Sequence, residues 1–341
     1  MDHATPPADR DRAALSDAAL NRLLAAGGTW VHGPLTSVRH ERIGTDYGLS
    51  GRVYRVAAIA ADGSPVSLVA KFEPATEIGR AVAFRMANAS VLGGLIPASY
   101  GAEVDHAAGQ GVILLEDIHP ATQGDDLLGC SRHQALDIAA VVANVHASTR
   151  KYAPHDARAA WGTPVWETDR WQDRLRVAAA RYPDQFTTDV VAALRPLNRA
   201  AGEAIGALAT SAMTWVHRDS HPDNVLWRDD GSPVLIDWSG AEIGPPAIDL
   251  AVLLTSLTFR ANPPLEPEEL LARYADESSA AGVPTTVTAV TASARRALVP
   301  HLRGMVGWVG IRATPAPVGR HAALRDVAAG RVVAALRWLG A

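Results

Sequence analysis

The sequence predicts an α+β fold in which an antiparallel β-sheet lobe comes first and a mostly helical lobe follows. Three observations predict it. Residues 38–116 alternate short strand-like runs with turn signals, and from Ser131 onward the apolar spacing is mostly helical. The 341 residues are 48% hydrophobic and 20% charged, enough for one large core or two ordinary ones. That composition excludes collagen-like, disordered and disulfide-stapled chains. The join is expected near Glu116–Pro120, dividing residues 1–117, with 1–12 disordered, from residues 118–341.

Along the chain, Ser16 caps a short helix over Ala18–Ala26 that Gly27 and Gly28 stop. Strands are expected at Val38–Ile43, Gly51–Ile59 and Val66–Phe72, the last two joined by the Asp62-Gly63 hairpin signal. Glu77–Asn88 has helical spacing, and Ile96–Glu103 and Gly111–Glu116 read as two further strands. Helices are then expected at Gln134–Thr149, Asp169–Arg181, Asp189–Leu208, Ala247–Leu257, Pro267–Ala281, Thr286–Gly307 and Gly319–Leu339. A strand-turn-strand island between Thr214 and Asp237 interrupts them. No internal repeat is evident.

The 32 Lys and Arg against 36 Asp and Glu give a net charge of −4, which disfavours non-specific binding to nucleic acid. Only Lys71 and Lys151 are lysines. Residues 291–341 carry eight arginines and one acid, Asp326, a local balance of +7. Cys130 is a lone cysteine and the polar Met1–Arg12 segment does not resemble a signal peptide, so a cytoplasmic setting is expected. No apolar run reaches 18 residues, and no membrane partner is expected. Ala322–Leu339 reads as an amphipathic last helix with Arg325, Arg331 and Arg337 on its polar positions.

The chemistry concentrates in Trp215–Trp227 and Pro233–Trp238, where His217, Asp219, His221, Asp223, Asn224 and Asp237 lie between apolar strands. Two readings fit. One is a phosphoryl-transfer loop of pattern H-x-D-x-x-x-x-N: Asp219 positions and deprotonates an acceptor hydroxyl, and Asn224, with Asp237 returned by the Asp229–Ser232 turn, holds Mg²⁺. The other is a hydrolytic metal box built on the alternation His217, Asp219, His221, Asp223, which Pro222 disfavours as a regular strand.

With these spacings, and that of Asp237 to the Asp249-Leu250-Ala251 run, the chain resembles the aminoglycoside phosphotransferase and choline kinase group, small-molecule kinases with the protein-kinase-like two-lobe fold. The resemblance runs from about Val38 to Leu257. It implies a nucleotide-binding first lobe and a second lobe that carries catalysis and the acceptor site. It also implies that Asp249 is scaffold beneath the catalytic loop, that His217 supports loop geometry, and that His146 is a packed core histidine.

Lys71 stands in an apolar strand of a chain that otherwise writes arginine, as if a compact ammonium were required on nucleotide phosphates. It matches the strand lysine of kinases, whose partner is a Glu on the following helix. Here Ala81 stands at that Glu position; Glu77, one turn earlier, is the expected replacement, with Glu73 a weaker candidate. Gly44–Gly51 would form the phosphate lid through Gly48, Ser50 and Gly51. Leu114–Ile118 matches the connector whose backbone contacts adenine, with Glu116 and Ile118 as cofactor-binding candidates and the Glu116 and Asp117 side chains read as solvated. No P-loop motif is present.

Only 12 positions separate Asp237 from Asp249, too few for the activation segment that holds a peptide, so the acceptor should be a small hydroxylated molecule. The expected activity is ATP- or GTP-dependent O-phosphotransfer with Mg²⁺, as a monomer or homodimer. The resemblance implies an antibiotic acceptor of aminoglycoside, aminocyclitol or other type as the leading class. An amino alcohol or sugar, a nucleotide-binding pseudokinase and a metallohydrolase follow in that order. The basic C-terminal segment argues against a highly cationic acceptor. Acids that could still line its pocket are Asp125, Asp126, Glu242, Glu266, Glu268 and Glu269, and the Trp161, Trp166, Trp171 series could contribute a loop residue. Cys130 has no basic partner nearby and is not read as a nucleophile.

Overall fold

A computed structural model describes residue 11 and residues 13–44, 52–152, 168–258, 264–312 and 319–340. The chain forms two compact units. The first takes Met1–Ala121, Arg228–Asp230 and Ile236–Gly240; the second takes Thr122–Trp227, Gly231–Leu235 and Ala241–Ala341. Together they give an antiparallel β-sheet lobe and a largely helical lobe, the protein-kinase-like fold that the motifs imply.

In the first unit, helix α1 (Asp17–Gly27) begins where Ser16 accepts the Ala19 N–H and ends at Gly28 in the left-handed conformation, φ 70°. Strands β1 (Thr36–Ile43), β2 (Arg52–Ile59), β3 (Pro65–Pro74), β4 (Ser99–Asp105) and β5 (Gln110–Glu116) form one antiparallel sheet in the order β1-β2-β3-β5-β4. Helix α1 packs on β4 at backbone contact: a Cβ on Gly27 would lie 2.0 Å from the Tyr100 carbonyl oxygen, and one on Gly101 2.3 Å from that of Leu23. Glycine is required on both sides. Alternation along β3 buries Leu68, Ala70 and Phe72 in a core with Leu20, Val56 and Leu114, and turns Lys71 to the other face. Lys71 sits mid-sheet, paired in register with Val53 on β2 and Ile113 on β5.

Helix α2 (Ala75–Asn88) follows β3 directly and buries Ile78, Ala81, Phe84, Arg85 and Asn88. Phe84 stacks on Trp238 with ring centroids 3.9 Å apart and planes 8° from parallel, so the helix is pinned to the segment that carries Asp237.

The second unit contains β6 (Ala121–Gln123), α3 (Arg132–Thr149), α4 (Thr168–Arg181), α5 (Thr188–Leu194), α6 (Leu197–Leu208), β7 (Thr214–Val216), β8 (Val225–Arg228), β9 (Pro233–Leu235), β10 (Glu242–Gly244), α7 (Ala247–Leu253), α8 (Pro267–Ala280), α9 (Val287–Val309) and α10 (Arg320–Leu339). Its core joins Trp171, Phe186, Leu298, Leu302, Val306 and Val332, so Trp171 is an interior residue. Helix α9 packs on α6, α7 and α10, and α8 on α3.

Three expectations change. The single helix Asp189–Leu208 is two, because Pro196 offers no N–H to continue the first and opens the second. The helix from Ala247 leaves α geometry after Leu253 and continues as a π-helical turn, Leu254–Thr258. The island is not one strand-turn-strand: β8 and β9 form the hairpin, whereas β7 pairs with β10, Trp215 opposite Ile243. Among the described residues no helix is long and apolar enough to cross a membrane.

Candidate active site

In the second unit, the loop after β7 is built around Asp249, 1% exposed, on the first turn of α7. Its carboxylate accepts the backbone N–H of His217 at 2.7 Å and of Arg218 at 2.6 Å, and meets His146 Nε2 at 3.0 Å. His146 is itself buried, with Nδ1 2.8 Å from the Tyr274 hydroxyl. Burial would raise the Asp249 pKa, but His146 and the His217 contacts hold it below the ordinary carboxylate value. The grip matters because Arg218 has φ 71°, a left-handed backbone that an L side chain adopts only under constraint.

That twist presents Asp219. Its N–H donates to His217 Nδ1 at 3.2 Å, its carboxylate accepts Asn224 Nδ2 at 3.2 Å, and the Asp219 carbonyl accepts the same amide at 2.8 Å. His221 Nε2 lies 3.2 Å from Asp219 Oδ1. Burial opposes its charge, yet Asp219, with Asp126 and Asp223 beyond, raises the His221 pKa to about 9. Asp223 does not join this group: Arg320 grips both its oxygens at 2.6 and 2.8 Å, and the Asp126 N–H donates to it at 2.6 Å. The alternating His/Asp run is thus divided among different partners. Among the described residues, no three His, Cys, Asp or Glu gather as a metal site.

In the first unit, Lys71 Nζ contacts Asp237 Oδ1 at 2.5 Å, Glu73 Oε1 at 2.8 Å and Ser239 Oγ at 3.0 Å. Ser239 Oγ also donates to Glu73 Oε2 and lies 2.8 Å from Asp237 Oδ1. Asp237 has φ 60°. Burial disfavours the Lys71 ammonium, but Asp237 and Glu73 more than offset it and hold its pKa above the ordinary lysine value. Burial and the charge of Asp237 together raise the Glu73 pKa against the pull of Lys71. The expected Lys71–Glu77 pair is therefore corrected: Glu77 lies in the first turn of α2, whereas Glu73, two residues along β3, shares the face of Lys71 and pairs with it.

The connector side chains are not solvated either. Glu116 accepts the Ala98 N–H and Arg228, and Asp117 accepts Arg55 at 2.8 Å and the Ser67 hydroxyl at 2.6 Å. Ile118 is buried. In the second unit, Arg325 and Arg331 lie buried in α10 where polar positions were expected; only Arg337 of the three is exposed. Arg331 forms a bidentate pair with Asp126, and Arg320 also holds Asp125. Gly48, Ser50, Gly51, Trp161 and Trp166 lie outside the described residues. Sequence reasoning missed Ser239 and Arg320. Ser239 was legible as the residue two beyond Asp237, but nothing in the sequence marks Arg320 as the partner of Asp223.

Residues 48–283 match the model of the phosphotransferase enzyme family. No curated protein is significantly similar in sequence. Among solved structures, the chain is similar to a spectinomycin phosphotransferase in complex with ADP and spectinomycin (14% identity, TM-score 0.57, covering 88% of this chain and 93% of that one). It is similar to an amicoumacin kinase bound to AMP-PNP (13%, TM-score 0.56, 97% and 93%). It is also similar to a choline kinase from Cryptosporidium parvum (13%, TM-score 0.53, 88% of each chain). At such identities the likeness is one of fold. The family match reaches across well over half of the chain, from the β-sheet lobe through the loop that Asp249 holds, and this protein belongs to the phosphotransferase enzyme family.

Proposed function

We propose that the protein transfers the γ-phosphoryl group of ATP or GTP to a hydroxyl of a small molecule, with an antibiotic as the leading acceptor class and resistance as the consequence. The observation that carries the reading is the Asp219–Asn224 pair, held 3.2 Å apart in a loop whose strained backbone is clamped by Asp249. Asp219 orients the acceptor hydroxyl and its carboxylate takes the proton. His221 Nε2 stands 3.2 Å from that carboxylate and helps to orient it. Lys71 holds nucleotide phosphates, residues 1–117 form the nucleotide lobe, and the backbone of Glu116–Ile118 meets the base.

Magnesium fits the donors present. The amide oxygen of Asn224 and the carboxylate of Asp237 are hard oxygen ligands, few in number, as Mg²⁺ with phosphate oxygens and water prefers. When bound, it neutralises phosphate charge. The remaining catalysis is positioning and electrostatic stabilisation by the chain's own groups.

The acceptor is expected to be weakly charged. Asp125, Asp126, Glu242 and Glu269 each hold an arginine, which leaves little acidic surface for a polycation. Two of the similar structures are described as acting on spectinomycin and amicoumacin, which accords with an antibiotic. A metabolite such as an amino alcohol is the second reading, in keeping with the choline kinase likeness.

The test is incubation with γ-labelled ATP or GTP, Mg²⁺ and a panel of hydroxylated antibiotics and metabolites. Label should move to one acceptor and should cease to move in Asp219→Ala while nucleotide still binds. Nucleotide-independent hydrolysis dependent on added Zn²⁺ would refute the reading.

A further inference from the structure

The Lys71 ammonium has three N–H donors, and three oxygens are in place for them: Asp237 Oδ1, Glu73 Oε1 and Ser239 Oγ. A nucleotide phosphate can reach this lysine only if one of the three lets go. Of the two carboxylates Asp237 is the one an incoming phosphate can reach and displace, because its side chain is 37% exposed, against 3% for Glu73. Glu73 is fixed twice over, to Lys71 through one oxygen and to the Ser239 hydroxyl through the other. Ser239 has a single hydroxyl proton, and Glu73 takes it. Losing Asp237 therefore leaves a closed Lys71–Glu73–Ser239 triangle intact.

Helix α2 offers no substitute. Ala81, 5% exposed, occupies its buried face one turn before Phe84, and the Phe84–Trp238 stack holds that face against the segment after Asp237. A carboxylate two residues along the same strand has its spacing set by the pleat, about 6.5 Å along the backbone, rather than by how the helix lies.

We infer that Glu73 and Ser239 are the positioning residues of Lys71, a strand-borne and loop-borne pair that does the work a helix carboxylate would otherwise do. Lysine alignment then depends on β3 and on the residue two beyond Asp237, not on the placement of α2. The inference rests on the reading of Lys71 as the phosphate-holding group.

Glu73→Gln, Ser239→Ala, Ser239→Thr, Glu77→Gln and Lys71→Ala are compared with the wild type in calorimetric titration with Mg·ATP, in steady-state transfer and in thermal melts. Glu73→Gln is nearly isosteric, and Ser239→Thr keeps the hydroxyl. Glu73→Gln and Ser239→Ala should weaken Mg·ATP binding by roughly 10- to 100-fold, the scale on which outer partners of a binding group act, and Ser239→Thr should recover most of that loss. Nucleotide KM should rise in step while the acceptor KM stays in place. Three results overturn the inference: wild-type nucleotide affinity in both Glu73→Gln and Ser239→Ala, a lowered melting temperature with unchanged affinity, or a loss seen in Glu77→Gln instead. If the wild type binds no nucleotide, or Lys71→Ala binds it as well as the wild type, the functional reading itself fails. The two failures are thereby distinguished.

Discussion

Replacing Asp249 with alanine should cost the protein more than any exposed substitution, and the structure sets the scale. The carboxylate, 1% exposed, accepts two backbone N–H groups at 2.6 and 2.7 Å and meets His146 at 3.0 Å. Hydrogen bonds to a charged group contribute about 1.5–3 kcal/mol each, and losing the acceptor strands buried donors. Arg218 is also released from its left-handed backbone, a strain of about 1–3 kcal/mol that no longer needs holding. Set against each other, these terms give a net destabilisation of about 3–5 kcal/mol. Urea unfolding at neutral pH measures it, and acceptor phosphorylation should fall in parallel because Asp219 loses its presentation.

The acid limb gives an independent check. The folded-state pKa of Asp249 lies below its ordinary value of 3.8. Its contribution is complete above the unfolded value and is lost as pH falls through the folded one, so the gap between wild type and Asp249→Ala must narrow in acid. A cost under about 1 kcal/mol, or a gap that does not narrow, would refute the scaffold role.

Two further predictions follow from the second unit. Arg331→Met strands Asp126, whose side chain is 9% exposed, and should cost about 3–5 kcal/mol in urea unfolding. Adding Asp126→Leu should restore most of it; a double variant as unstable as the sum of the singles would show that the pair is not coupled. Cys130 is buried, and burial, with the charge of Asp126 adding, pushes its thiol up to about 11. It should resist iodoacetamide at pH 8 until the protein is unfolded, and rapid stoichiometric labelling of the native protein would contradict this.

Legibility in the sequence followed the range of the interactions. The strands around Lys71 and the cap at Ser16 are specified by neighbours a few residues away, and each lies where periodicity and turn chemistry place it. The Asp219-to-Asn224 spacing was equally plain, since one short loop brings the two side chains together. Helical spacing from Ala81 points to Glu77, whereas strand alternation puts residues 71 and 73 on one face, and it is the strand that supplies the partner. The buried arginines were not legible at all. Arg331 meets Asp126 across 205 positions and Arg320 meets Asp223 across 97, and no local pattern encodes such distances.

Those long-range pairs change what the C-terminal charge means for the acceptor. Read as a sequence, residues 291–341 form a basic segment that should repel a polycation. In the fold, Arg320 is spent on Asp125 and Asp223, Arg331 is spent on Asp126, and Arg325 is buried beside Trp308. The segment's field is therefore weaker than its formal +7. The same pairs withdraw acids that a polycation would need, because recruiting Asp126 means displacing a bidentate guanidinium from a desolvated carboxylate, and recruiting Asp125 means displacing Arg320. Repulsion and attraction are weakened together, and on the proposed reading acceptor selection falls to shape and neutral hydrogen bonding. Under the proposed function, a weakly charged hydroxylated molecule meets that requirement at lower cost than an aminoglycoside of high positive charge.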